Sequence, residues 1–249
     1  MSLSADQAFA ALEATWPAAE VEATGPWLIR TGLGGGKRVS AASVMGAFDV
    51  SDLEQAEAAM QALGQPHLFA LRPGDEALDK ALAARGYEIV DPTLIHAIEV
   101  GELTTEPLPR VAAFQIWRPL AIINDIWVQG GIGPARQAVM QRANGAKTAI
   151  LARHSDQPAG AAFVAIHENV AMIHAIEVVG DLRRQGVGRN ILRAAAFWAQ
   201  DHGAAHLALA VTRANAGANA LYASVGFTLV GHYHYRIKDV AQQTRSSND

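Results

Sequence analysis

The turn Asp181-Leu-Arg-Arg-Gln-Gly-Val-Gly-Arg-Asn190 constrains the fold of this chain more than any other stretch, because the hydrophobic period changes across it. Upstream, residues 171–179 are rich in apolar and β-branched side chains, as a buried strand requires. Downstream, Ile191, Leu192, Ala195, Trp198 and Ala199 recur at helical spacing as one apolar stripe, with Arg193, Gln200 and Asp201 off it. A strand therefore feeds a helix. The first N–H groups of a helix have no partner within it and carry the positive end of its dipole. Gly186 and Gly188 keep side chains away from those amides, and Arg183, Arg184 and Arg189 surround them with positive charge. Two readings are open: an anion-binding helix entry, or a solvated basic turn whose glycines only shape the entry.

Two other phosphate-binding turns fail on residues. A dinucleotide-binding turn needs a third glycine where Ile191 stands, and an acidic residue after the next strand, where the chain has Thr212. A nucleoside triphosphate loop needs Lys-Ser or Lys-Thr where Arg189-Asn190 stands. Arg183, Gly186 and Gly188 fit Arg/Gln-x-x-Gly-x-Gly/Ala instead. Further on, Asn215, Ala218, Leu221 and Tyr222 fit Asn-x-x-Ala-x-x-Leu-Tyr, followed by Gly226-Phe227. In these two motifs, in this order and separated by a helix and a strand, the chain resembles the GCN5-related N-acetyltransferase (GNAT) family, over roughly Pro109 to Lys238.

The resemblance implies an α/β fold of the α+β type, a mixed and mostly antiparallel sheet flanked by helices, here in tandem. It also implies acetyl-coenzyme A as co-substrate and no metal. The amides of Gln185, Gly186, Val187, Gly188 and Arg189, with Arg183 and Arg184, would hold the pyrophosphate. The strand backbone at Ile176, Glu177 and Val178 would hold the pantetheine arm beside a gap in the sheet, and Asn215 would complete the site from the far side. A bulky residue at Gly188 is expected to block the pyrophosphate and leave the fold intact.

Two catalytic roles follow from the same resemblance. Tyr222 holds the family's general-acid position and would protonate the departing thiolate, which also places it among the cofactor-binding residues; its other reading is a core tyrosine. A lysine-like amine with a pKa of about 10.4 is nearly all protonated at neutral pH, so a base or a water relay is needed. Glu177 is the nearest carboxylate, with an ordinary polar residue on a strand edge as its other reading. Some relatives carry a base on the next strand, where this chain has Ala210. His174 reads as a core histidine.

Composition sets the outer bounds. At 249 residues, half of them hydrophobic and 18% charged, the chain is globular and long enough for two domains of ordinary size. It has no cysteine, which excludes disulfides, thiolate metal sites and a cysteine nucleophile together. Residues 1–104 hold 6 Lys+Arg and 15 Asp+Glu, whereas residues 105–249 hold 14 and 9. A basic second half suits a ligand with several phosphates, and an acidic first half suits a cationic acceptor and argues against nucleic acid. The expected partners are a small-molecule or peptide amine acceptor and, as one option, a second copy in a homodimer. No apolar run approaches membrane-spanning length, and the acidic, amphipathic N-terminus is not a signal peptide, so a cytoplasmic protein without a membrane partner is expected.

The first half echoes the second. A helix over Ser4–Trp16 presents Phe9, Leu12 and Trp16 on one side; strand-like runs follow at Trp27–Arg30 and Arg38–Ser43, with Gly32–Lys37 read as a hairpin turn between them. Asp52–Leu63 reads as a helix capped by Ser51, His67–Leu71 as a strand, Asp75–Arg85 as a helix ending at Gly86, and Leu94–Val100 as a strand. Aligning Gly86 with Gly226 sets Leu82 opposite Tyr222. Ahead of the Asp52 helix, Gly46–Ser51 has no paired glycines and carries Asp49, so residues 1–104 read as a degenerate copy and residues 105–249 as the acetyl-coenzyme A-binding domain, joined through Gly101–Arg110. The repeat of Ile95–Val100 at Ile173–Val178 is set aside as coincidence. Activity therefore reads as N-acetyl transfer to a primary amine, the alternative being an inactive acetyl-coenzyme A-binding sensor.

Overall fold

The structure is a computed structural model that describes residues 2–238; the remainder of the half assigned to 105–249 lies outside the described residues. In chain order the elements are α1 (Ala5–Thr15), β1 (Glu20–Thr24), β2 (Trp27–Thr31), β3 (Ser43–Val44), α2 (Asp52–Ala62), β4 (His67–Leu71), α3 (Glu76–Ala84), β5 (Glu88–Glu99) and α4 (Val100–Leu103). They continue with β6 (Ala113–Ile116), α5 (Ala121–Gln129), α6 (Pro134–Arg142), β7 (Lys147–His154), β8 (Gln157–His167), β9 (Val170–Val178), α7 (Val187–Asp201), β10 (His206–Thr212), α8 (Ala216–Ser224) and β11 (Thr228–Lys238).

The chain forms two compact units that interleave in sequence: Met1–Pro17 with Leu94–Gly231, and Ala18–Thr93 with His232–Asp249. They differ from a single cut after residue 104 for a physical reason. Strands β5 and β11 each run from one unit into the other, so each unit takes a strand segment from the opposite half of the sequence. In the second unit β11 pairs antiparallel with β4, His234 opposite Leu71 and Lys238 opposite His67. In the first unit the later part of β5 lies beside β10. The Gly101–Arg110 stretch is likewise no free tether. Arg193 on α7 reaches the carbonyls of Leu103, Glu106 and Pro107.

The internal echo is visible in the elements. A shift of 140 residues, which carries Gly86 onto Gly226, also carries α3 onto α8 end for end and β4 into β10. Both glycines adopt positive φ, +81° and +98°, a left-handed conformation that side chains disfavour and that lets each helix turn directly into its strand.

In the first unit, β6, β7, β8 and β9 form an antiparallel meander, and β10 joins β9 in parallel. Its hairpins turn at Ser155-Asp156 and Glu168-Asn169, where Ser155, Asp156 and Glu168 all have positive φ. Strand alternation gives the sheet two apolar faces. Ala162, Val164, Ala171 and Ile173 pack with Ile191, Leu192, Ala195, Trp198 and Ala199 of α7, the whole predicted stripe being buried. On the other face, Phe163 and His174 stack on each other and pack against Trp16 at the end of α1. Burying each large aliphatic of α7 is worth about 1.5–3 kcal/mol. Helix α1 starts from a capping box, the Ser4 hydroxyl accepting from the Gln7 N–H while the Gln7 side chain accepts from the Ser4 N–H.

Three local expectations are corrected in the second unit. The hairpin lies at Gly25-Pro26, between β1 and β2, not at Gly32–Lys37. Over Arg38–Ser43 the chain forms a 3-10 turn at Lys37–Val39 before the two residues of β3, because the Arg38 side chain goes inside and Val39 and Ala41 are fully buried. Ser51 precedes α2 but makes no side-chain cap; Asp52 accepts the Asp49 N–H at 2.8 Å instead.

Candidate active site

Between β9 and β10 the sheet of the first unit opens. Parallel pairing runs from Val170 opposite His206 to Ile173 opposite Leu209 and stops, whereas β9 stays paired with β8 as far as Val178 opposite Gly160. Residues 174–178 therefore have a ladder on one side only. The cause is a bulge: between the pairs Phe163–His174 and Ala161–Glu177, β9 carries one residue more than β8, and Ala175 sits at φ +51°. An extra residue in a period of two exchanges the faces beyond it. Ile176 and Val178 thus pack on the α7 side with the core, and Glu177 turns to the opposite side.

There Glu177 meets the end of α5. A cavity of about 470 Å³ is lined by Ile126, Gln129, Gly130, Glu177, Val179, Gly180 and Arg183. The Glu177 side chain is only 19% exposed, and its Oε1 accepts from Arg183 Nη2 at 3.0 Å, while Arg183 Nε donates to the Val178 carbonyl at 3.1 Å. Gly130 fits beneath the carboxylate: a Cβ there would stand 2.6 Å from the Glu177 side chain. Gly130 has an ordinary φ of −80°, so Gly130→Ala should fold and displace only the carboxylate. Steady-state kinetics should show turnover falling roughly tenfold with the melting temperature nearly unchanged, since small misplacements of a reacting group weigh heavily on rate.

The predicted helix entry lies just past this cleft. Gly186, at φ +83°, precedes α7 with no side-chain cap, and the first helical bond runs from the Asn190 N–H to the Gly186 carbonyl. The N–H groups of Val187, Gly188 and Arg189 thus have no acceptor within the helix. A Cβ on Gly186 would meet nothing within 4 Å, so the approach to these amides is open, and Arg183, Arg184, Gln185 and Arg189 are all exposed around it. The start of α7 can lie close to the opened strand because Gly160 has no side chain; a Cβ there would come within 2.7 Å of the Glu177 carbonyl and 3.3 Å of Val187 Cγ1. A cofactor with a pyrophosphate and a strand-like arm therefore fits the residues present.

Gly188 has a packing role as well. A Cβ on it would stand 2.9 Å from Leu221 Cδ2 on α8, so a bulky residue would disturb the α7–α8 contact in addition to the anion site. Such a variant does not separate binding from folding. Asn215 caps α8, its Oδ1 accepting from the Ala218 N–H at 3.1 Å. His174 is a core residue: 5% exposed, its ring tilted against Trp16 with centroids 5.0 Å apart, and its Nε2 2.8 Å from the Thr15 hydroxyl.

Tyr222 on α8 is 6% exposed, and its hydroxyl has no hydrogen-bond partner among the described residues. Burial pushes its pKa up to about 12, so the phenol keeps its proton at neutral pH. Its ring packs on Phe227 and on His96 of β5, with centroids 5.8 and 6.4 Å away. Both His96 ring nitrogens and the Asn219 Oδ1 are buried without a hydrogen-bond partner among the described residues. Burial pushes the His96 imidazole below its ordinary value, partly offset by the Asn219 side chain, which acts on it without forming a well-aligned bond. His96 was missed from the sequence, although the repeat at Ile95–Val100 was a signal: β5 and β9 flank β10 on its two sides.

An opened parallel strand pair, a glycine-lined helix entry and a buried tyrosine thus lie together in the first unit. Residues 114–227 match the profile described as the Acetyltransferase (GNAT) family. Over 234 residues, 90% of this chain and 95% of the relative, the protein is 26% identical to the uncharacterized N-acetyltransferase YobR of Bacillus subtilis (strain 168). In fold it resembles a GCN5-related N-acetyltransferase from Kribbella flavida, with a TM-score of 0.69 and 23% identity over 96% of each chain. It also resembles a tandem GNAT protein from the clavulanic acid biosynthesis pathway, with a TM-score of 0.59 and 14% identity over 80% of this chain and 74% of that one. No helix among the described residues is long and apolar enough to cross a membrane.

Proposed function

We propose that the protein moves an acetyl group from acetyl-coenzyme A to a primary amine, in the cleft beside residues 174–178. The observation that carries this reading is the opening of β9 from β10 next to the free amides of α7. Ile176, Glu177 and Val178 offer backbone to an extended pantetheine arm, the turn Gln185–Arg189 offers amides and guanidinium groups to a pyrophosphate, and Asn215 closes the far side. Acetyl-coenzyme A supplies the activated thioester.

The chain's own residues handle the protons. Glu177 takes one from the acceptor ammonium, so that the nitrogen lone pair can form the new C–N bond as the C–S bond breaks. Tyr222 gives a proton to the departing sulfur, the acylated nitrogen releases its second proton to solvent as the amide forms, and Glu177 and Tyr222 return to their resting states by exchange with solvent. A phenol near its ordinary pKa of about 10 donates uphill to a thiolate whose acid has a pKa of about 8.5, and burial steepens that step; a site around the developing charge must offset it. The same proposal takes residues 105–249 as the acetyl-coenzyme A-binding half and residues 1–104 as a degenerate copy, supported by the shared element order and by the missing glycine turn ahead of α2.

The test is a screen for free thiol released from acetyl-coenzyme A against polyamines, aminoglycoside-like amines, lysyl peptides and free protein N-termini. Acetyl-dependent thiol release with at least one class is expected. Binding of acetyl-coenzyme A without thiol release from any of them would make the protein a sensor.

A further inference from the structure

We infer that Trp127 is the positioning residue of this site: its indole N–H holds the bulge at Ala175 and thereby sets which face of β9 carries Glu177. Trp127 lies in the last turn of α5 and is fully buried. Its Nε1 donates to the Ala175 carbonyl at 2.9 Å. Ala175 is the residue at which β9 gains its extra member, and its φ of +51° is disfavoured for a residue with a Cβ. Such a conformation persists only where the surroundings impose it, and the strand ladder does not, because β10 stops pairing at Leu209. The indole bond comes from outside the sheet and satisfies a carbonyl that the bulge has taken out of the ladder.

The consequence reaches Glu177 through parity. Without the extra residue, position 177 would share the face of Ile173 and point into the α7 core. With it, Glu177 meets Gly130, three residues beyond Trp127 on the same helix end. One turn of α5 thus holds both the bulge and the carboxylate that the bulge delivers. This inference rests on the proposed function for its catalytic meaning, but the geometry can be tested without it.

The chain has no cysteine, so Glu177→Cys places a single thiol at the position in question. Its labelling rate with Ellman's reagent is measured in the full chain, alone and combined with Trp127→Phe, which keeps an aromatic ring and removes the N–H. The labelling rate should fall at least tenfold in the double variant, as position 177 turns toward the core. A rate unchanged by Trp127→Phe, or one raised to that of the urea-unfolded chain, would overturn the inference, the second by making Trp127 a general fold residue. Acetyl-coenzyme A affinity by calorimetry provides a second readout. Trp127→Phe should weaken it at least tenfold, whereas Ile123→Ala, which removes another fully buried α5 side chain, should leave it within about twofold of the parent. Equal losses in both variants would also overturn the inference. If Glu177→Cys labels and responds to Trp127→Phe as expected but the parent chain does not bind acetyl-coenzyme A, the proposed function fails and the placement of the bulge by Trp127 stands.

Discussion

Replacing Glu177 by Gln is expected to lower turnover about 10²-fold at neutral pH while acetyl-coenzyme A affinity stays close to that of the parent, because general acid–base groups typically contribute 10² to 10⁴ in rate. The amide keeps the size of the side chain over Gly130 and an oxygen for Arg183, so the cleft keeps its shape. Arg183 is largely exposed, and the loss of a solvated ion pair has little effect on stability. What disappears is the acceptor of the ammonium proton. The loss should therefore shrink as pH rises toward the pKa of the acceptor amine, about 10.4 for a lysine-like amine, where the free base is abundant without help. Rate profiles of parent and variant that run parallel across this range would show that Glu177 is not the base.

For Tyr222→Phe, a fall in turnover of about 10²-fold is expected with almost no change in melting temperature at neutral pH, the lower end of the usual range because a thiolate can leave with partial help. The hydroxyl has no hydrogen-bond partner among the described residues, so its removal leaves the packing against Phe227 and His96 in place. Burial pushes the phenol up to about 12, above its unfolded value of about 10, and this fixes the sign of two effects. The parent should keep its acid, and hence this contribution to rate, throughout the range from pH 7 to 10. The stability that comes from keeping the phenol neutral is fully present below about pH 10 and is lost between about 10 and 12, so the variant should lose less stability than the parent across that window. Full turnover in Tyr222→Phe with chemistry rate-limiting would reduce the residue to packing.

The parts of the fold that were legible in the sequence are those fixed by local period or by a residue with a special backbone role. The α7 stripe and the glycines after α3 and α8 belong to this class. Strand β1 was not legible because none of its five residues is buried, so no alternation marks it. The exchange of strand segments between units was not legible either, since which strand lies beside β10 is decided by contacts about 100 residues apart in sequence, and both halves end in similar strands.

The candidate site divides in the same way. Its anion end is written in one short stretch, because glycines and arginines act there through local backbone geometry. Its acceptor end is assembled from α5 and β9. Ala175 carries no turn signal of its own, and the bond that holds it comes from Trp127, 48 residues away. The direction of Glu177 could be stated only relative to Val178, whereas its absolute face depends on the bulge. His96 belongs to the same class, since it reaches Tyr222 only because β5 passes into the first unit.

A calorimetric titration of the full chain with acetyl-coenzyme A tests the central claim most directly. The proposed site lies in the turn from Gln185 to Arg189 and the opened strand beside it, and the stretch ahead of α2 has no paired glycines with which to build another. The account predicts one acetyl-coenzyme A bound per chain. Two equivalent sites, or no binding at millimolar co-substrate, would contradict it.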